Sequence, residues 1–78
     1  MEAITTQQSR AARGLLDWSQ SKLAAMSNLS ESTIRDFEKG RRMPGPNNLA
    51  AIRAALEAAG VRFLNDGDTA AGPGVAMR

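Results

Sequence analysis

Seventy-eight residues make one small domain, near the size at which a single hydrophobic core sustains an independent fold. Apolar residues make up 42% of the chain, but fourteen positions are alanine and the aromatic set is two Phe and one Trp. One modest core of close-packed helices is available, and a deep substrate cleft is not. The absence of cysteine excludes a disulfide framework and a thiolate nucleophile, and the absence of histidine removes the commonest metal ligand and general base.

Ten Lys and Arg stand against eight Asp and Glu, a net charge of +2. The surplus is concentrated. Between Arg10 and Arg62 there are nine basic and five acidic residues, a balance of +4. A mildly basic body suits an anionic partner such as nucleic acid. No apolar run approaches the ~18 residues of a membrane span, and the first residues lack a signal-peptide pattern. These features point to a cytoplasmic, reducing home.

In chain order, Thr5-Thr6-Gln7-Gln8 can form a capping box that opens a first helix. Ala12, Leu15 and Leu16 then share one helical face. Gly14 weakens this helix by about 1 kcal/mol relative to Ala, which suggests close approach by a neighbour. Residues 17–19 are a break, and Ser19 caps a second helix over 20–27 that turns Leu23 and Ala24 inward. Asn28, one of the few non-glycine types that tolerates the left-handed region, closes a tight turn. Ser30 caps a third helix over 31–39, with Ile34 and Phe37 facing the core and Gly40 as its stop. Residues 41–46 contain two prolines and a glycine and read as loop. Asn47 caps a fourth helix over 48–59, with Leu49, Ile52 and Leu56 inward. Beyond Gly60 the pattern changes: residues 61–64 and 75–78 read as short strands around a turn at 65–68.

The stretch from Gln20 to Gly40 carries the most specific signal. Gln20, Leu23-Ala24, Leu29, Ser30, Ile34, Phe37, Glu38 and Gly40 fall in the register of a helix-turn-helix. In this pattern they closely resemble the phage-repressor/Cro-type, xenobiotic-response-element-like family. The resemblance runs from about Thr6 to Ala59 and takes in Arg13, Pro44 and the Leu49/Ile52/Leu56 helix. Asn28 replaces the family's turn glycine, and Ser27 stands where the family usually has a larger apolar residue.

The resemblance implies an all-α, lambda-repressor-like bundle of four to five short helices. A helix-turn-helix domain over residues 1–60 is followed by a β-prone tail over 61–78. It implies an ion pair between Arg13 and Glu38 that braces the first helix against the third. It also implies a phosphate contact from Gln20, at a helix start where backbone N–H groups attract anions, and further phosphate contacts from Arg41 and Arg42. Ser30 and Thr33 meet phosphate or cap the helix. The positions that read bases are the exposed ones at the front of the third helix: Glu31, Ser32, Arg35 and Asp36. Arg35 suits guanine, Glu31 the amine of cytosine, and Ser32 is permissive. Trp18, at a helix junction, reads as packing rather than as a stacking platform.

The expected function is a sequence-specific DNA-binding regulator acting as a homodimer, with the 31–39 helix in the major groove and no cofactor. Two carboxylates on the reading face keep a second function open, that of an antitoxin-like or adaptor module binding a protein partner. A hydrolase using Ser and carboxylates lacks a base, a metal cluster and a phosphate-cradling loop. The tail is the expected dimer element, with Val61, Phe63, Leu64, Val75 and Met77 as its apolar residues. The alternative is that Val61–Leu64 folds back as a flap over the fourth helix of its own chain and the last residues are disordered.

Overall fold

The computed structural model describes residues 3–64 and 74–77. Four helices, α1 (Thr6–Leu16), α2 (Gln20–Ser27), α3 (Glu31–Glu38) and α4 (Pro46–Ala58), precede two short strands, β1 (Val61–Leu64) and β2 (Gly74–Met77). Among the described residues no helix is long and apolar enough to cross a membrane.

The first three helices each begin on a hydroxyl that satisfies a backbone N–H the helix itself leaves without a partner. Thr5 accepts the N–H of Gln8 at 3.0 Å while the Gln8 amide oxygen accepts that of Thr5 at 3.0 Å, which closes the expected capping box. Ser19 caps α2 through Lys22 at 3.0 Å, and Ser30 caps α3 through Thr33 at 3.1 Å. Asn28 adopts φ 60°, so the chain turns between α2 and α3 without a glycine. Gly40, at φ 73°, follows the end of α3 as expected. The start of α4 differs from expectation. It begins at Pro46 with Gly45 as its cap and no side-chain cap bond, rather than at Asn48 under Asn47. Proline's fixed φ and missing N–H suit the first helical position, and they carry the helix back past the asparagines.

The inward positions meet in one core. Ala12, Leu23, Ile34, Phe37, Ile52, Leu56 and Val61 are wholly buried, with Ile4, Ala24, Leu49 and Phe63 close behind. Trp18, Leu16 and Leu29 pack against this cluster as partly buried side chains. Leu15 does not join it and is 47% exposed. The buried face of α1 is Gln8, Ser9 and Ala12, two of them polar, and this rotates the helix so that Leu15 falls at the edge. Ser27 is buried too, and its hydroxyl donates to the Leu23 carbonyl at 2.7 Å instead of filling apolar space.

Among the described residues the expected close neighbour of Gly14 is not found: beyond its own helix backbone and chain neighbours, a Cβ there would meet nothing within 4 Å. Gly14→Ala is therefore expected to stabilise the domain by about 0.5–1 kcal/mol. The melting temperature should rise by several degrees, since about 1 kcal/mol corresponds to roughly 4–8 °C at this size. An unchanged or lower melting temperature would contradict the open environment seen at this position.

The hairpin forms within one chain. Its strands pair antiparallel, with Val61 opposite Met77, Phe63 opposite Val75 and Leu64 opposite Gly74. Gln8 holds its neck: the amide nitrogen donates to the carbonyls of Leu64 at 3.2 Å and Gly74 at 3.0 Å, one on each strand. One side chain thus caps α1 and ties the C-terminal sheet to it. Phe63 is 7% exposed, and the Arg53 guanidinium lies 4.9 Å from its ring centroid. It is already buried without the second copy that the sequence reading assigned to it. The turn expected at 65–68 and the last residue lie outside the described residues.

Candidate nucleic-acid interface

The interface is built on a buried polar network beneath α3. Glu38, the last residue of that helix, is 2% exposed and receives donors from two other helices. From α1, the Arg13 guanidinium grips both carboxylate oxygens at 2.9 and 2.6 Å, and the Ser9 hydroxyl donates at 2.6 Å. Arg10 donates to the Glu38 backbone carbonyl. From the first turn of α2, the Gln20 amide donates to Glu38 at 3.3 Å. Burial by itself pushes the Glu38 carboxyl up. The hydrogen bonds from Arg13, Ser9 and Gln20, with the Arg13 charge, outweigh it and hold the group below its ordinary range. The bond to Glu38 is also the main reason Arg13 is shifted up. The expected Arg13–Glu38 pair is therefore present and locks α3 to α1 and α2. Gln20 is more embedded than the sequence suggested: it is half-buried and its amide nitrogen donates to Glu38.

This network turns the other side of α3 to solvent. Glu31, Ser32 and Arg35 are exposed, while Thr33 and Asp36 are half-buried. The Ser30 hydroxyl lies 3.1 Å from that of Ser32 and 2.8 Å from that of Thr33, in addition to capping the helix. Neither Glu31 nor Asp36 is in an ion pair among the described residues. Two acidic groups therefore stand uncompensated on this face, where pairing to Arg35 or Lys39 would have offset them. Arg41 and Arg42 are exposed, and the Asp36 carbonyl accepts the N–H of Arg41 at 2.9 Å and of Arg42 at 3.4 Å. The basic loop is thus folded directly onto the end of α3.

Sequence reasoning missed one element of the site. Ser32, Thr33, Asp36, Arg42 and Asn48 line a common polar recess of about 280 Å³ between α3 and the start of α4. Candidates for base reading and for phosphate binding meet there beside α4's first turn, whose N–H groups lack a side-chain cap. Asn48 was legible only as a helix-opening residue. The run Gly45-Pro46-Asn47-Asn48 was the available signal for an uncapped helix start at that point. Trp18 lies elsewhere, half-buried, with Lys22 Nζ 5.8 Å from its ring and its carbonyl accepting from Arg13 at 3.1 Å. Among the described residues no three His, Cys, Asp or Glu side chains cluster as a metal ion would need.

The geometry is that of two short helices set by a three-residue turn, the second with one face buried and the other presented to solvent. A helix-turn-helix family model matches residues 10–59, and the chain belongs to that Cro/CI-type family. Among solved structures it is similar to the DNA-binding domain of the P22 C2 repressor, residues 1–76, determined by nuclear magnetic resonance. The two are 29% identical, the match covers 73% of this chain and 76% of that one, and the TM-score is 0.63. No match is found among curated protein sequences.

Proposed function

We propose that this protein is a sequence-specific transcriptional regulator that binds double-stranded DNA as a homodimer, with α3 in the major groove. The observation that carries the reading is the recess in which Ser32, Thr33, Asp36 and Arg42 converge at the uncapped start of α4. It joins the exposed front of a recognition helix to anion-attracting backbone on the next helix. Membership of the helix-turn-helix family and similarity to a repressor's DNA-binding domain support it. In this reading Gln20, Ser30, Thr33, Arg41 and Arg42 hold phosphates, and Glu31, Ser32, Arg35 and Asp36 face base edges. Two copies on half-sites about 34 Å apart supply the specificity one copy lacks. The protein works in the cytoplasm, on nucleoid DNA.

The test is binding of the full-length protein to selected and scrambled duplexes across a salt series. Affinity should fall steeply with salt, with a slope of about 0.9 per phosphate contact. Arg42→Ala and Gln20→Ala should weaken binding to every duplex, and Arg42→Ala should reduce the salt slope by about 1. Arg35→Ala should act mainly on the preferred site, losing roughly 1–3 kcal/mol of discrimination. Intact sequence preference in that variant would make Arg35 a backbone contact or a solvated residue. The two unpaired carboxylates on the α3 face are what favour a protein-binding adaptor instead, and failure to bind any duplex at low salt would establish that reading over this one.

A further inference from the structure

Glu31 and Asp36 stand on the solvent side of α3, the first exposed and the second half-buried, and neither is in an ion pair among the described residues. Arg35 lies four residues beyond Glu31, and Asp36 four beyond Ser32. The face therefore carries two rows, each one helical turn long and each with one carboxylate. Asp36 lines the polar recess with Ser32, Thr33, Arg42 and Asn48. Arg41 and Arg42 are tied to this residue through their backbone N–H groups and its carbonyl, not through its carboxylate.

We propose that these two carboxylates read the free amines of cytosines, so that the protein rejects duplexes methylated at cytosine N4. The proposal rests on the regulator reading above and names the DNA chemistry that the α3 face accepts. An ionised carboxylate only accepts hydrogen bonds. Held against a base edge without a donor, it loses its water and is repelled by the phosphates on either side of the groove. The donors in the major groove are the exocyclic amines of cytosine and adenine. Adenine sets the acceptor N7 beside its amine, which repels the second carboxylate oxygen, whereas cytosine sets only a C–H there. Asn and Gln, with a donor and an acceptor each, are the side chains that match adenine, and α3 contains neither.

Base pairing uses one of the two cytosine N4 hydrogens and leaves the other in the groove. A methyl group on N4 of a paired cytosine takes the groove position, so the donor is lost and an apolar group meets the charge. The unpaired carboxylates thus supply specificity by rejection. They lower affinity for every sequence that offers no amine, while Arg41 and Arg42 attract all duplexes alike.

The experiment selects half-sites with the full-length protein, then replaces each cytosine of the selected duplex singly by N4-methylcytosine or 5-methylcytosine and titrates. N4-methylation at one or two cytosines should weaken binding about 5–150-fold. Methylation at C5, which keeps the donor, should weaken it much less. Asp36→Asn and Glu31→Gln should each move the preference at one such position from cytosine to adenine. Both should also bind scrambled duplex more tightly, because one negative charge beside the phosphates is gone. Sequence-specific binding that ignores N4-methylation, that loses as much to 5-methylation, or that keeps its cytosine preference in both variants would overturn the proposal and leave the regulator reading intact. Failure to bind any duplex at low salt would overturn both.

Discussion

Glu38→Ala is expected to lower stability by about 3–5 kcal/mol, because it leaves the Arg13 guanidinium, 19% exposed, without the charge it was desolvated against. The Ser9 hydroxyl, wholly buried, loses its 2.6 Å partner in the same step. For a 78-residue chain, whose total stability is about 4–12 kcal/mol, this removes a large share of the folded population. Chemical denaturation at neutral pH measures it, and a loss under about 1 kcal/mol would show that the network is dispensable. Replacing both partners, with Arg13→Met and Glu38→Leu together, should cost less than Glu38→Ala alone, because no buried charge is left unpaired.

The same group sets a pH dependence. The folded-state pKa of Glu38 lies below the ordinary value of 4.5, so folding favours the ionised form. Its contribution is present in full above the unfolded-state pKa and is lost as the pH falls through the lower folded-state value. Wild-type stability should therefore decline on acidification through and below the ordinary carboxylate range. Glu38→Gln should be less stable at neutral pH and lose part of that decline. An identical acid profile in the two proteins would place the sensitive carboxyl elsewhere.

Phe37→Ala should cost about 3–5 kcal/mol, the range for truncating a fully buried aromatic ring. Phe37 is one of two phenylalanines in the chain, is wholly buried, and lies one residue before Glu38 on α3. Its loss opens a cavity where α3 meets the rest of the core, so on the proposed reading DNA affinity should fall with the folded fraction. Phe37→Leu, which restores most of the volume, should recover most of both. A loss below about 1.5 kcal/mol in Phe37→Ala, measured by denaturation, would mean that the site collapses around the cavity.

Much of the architecture could be read locally. The caps at Thr5, Ser19 and Ser30 each act over three residues, from a hydroxyl to the N–H of the third residue beyond it. The left-handed turn at Asn28 depends on one residue's own sterics. The inward set Leu23, Ile34, Phe37, Leu49, Ile52 and Leu56 follows from helical period, and the register of those positions identified the helix-turn-helix. The hairpin strands were legible from their β-prone residues, which fit a pleated, half-buried surface.

What the tertiary structure decided are the positions where a polar residue is buried or an apolar one is not. Gln8 and Ser9 are polar yet buried, because their partners lie 56 and 29 residues away, at Leu64 and Glu38. By taking the inner face of α1 they leave Leu15 outside. Asn48 joins Ser32 and Arg42 only because the 41–45 loop folds the start of α4 back beside α3. Met43 becomes the rim of a groove only because Ile4 and Leu49 meet beneath it. Hydrophobic periodicity reports how one element divides between core and water. A buried polar group is stable only where a specific distant partner satisfies it, and that partner is chosen by packing between elements, which no local pattern records.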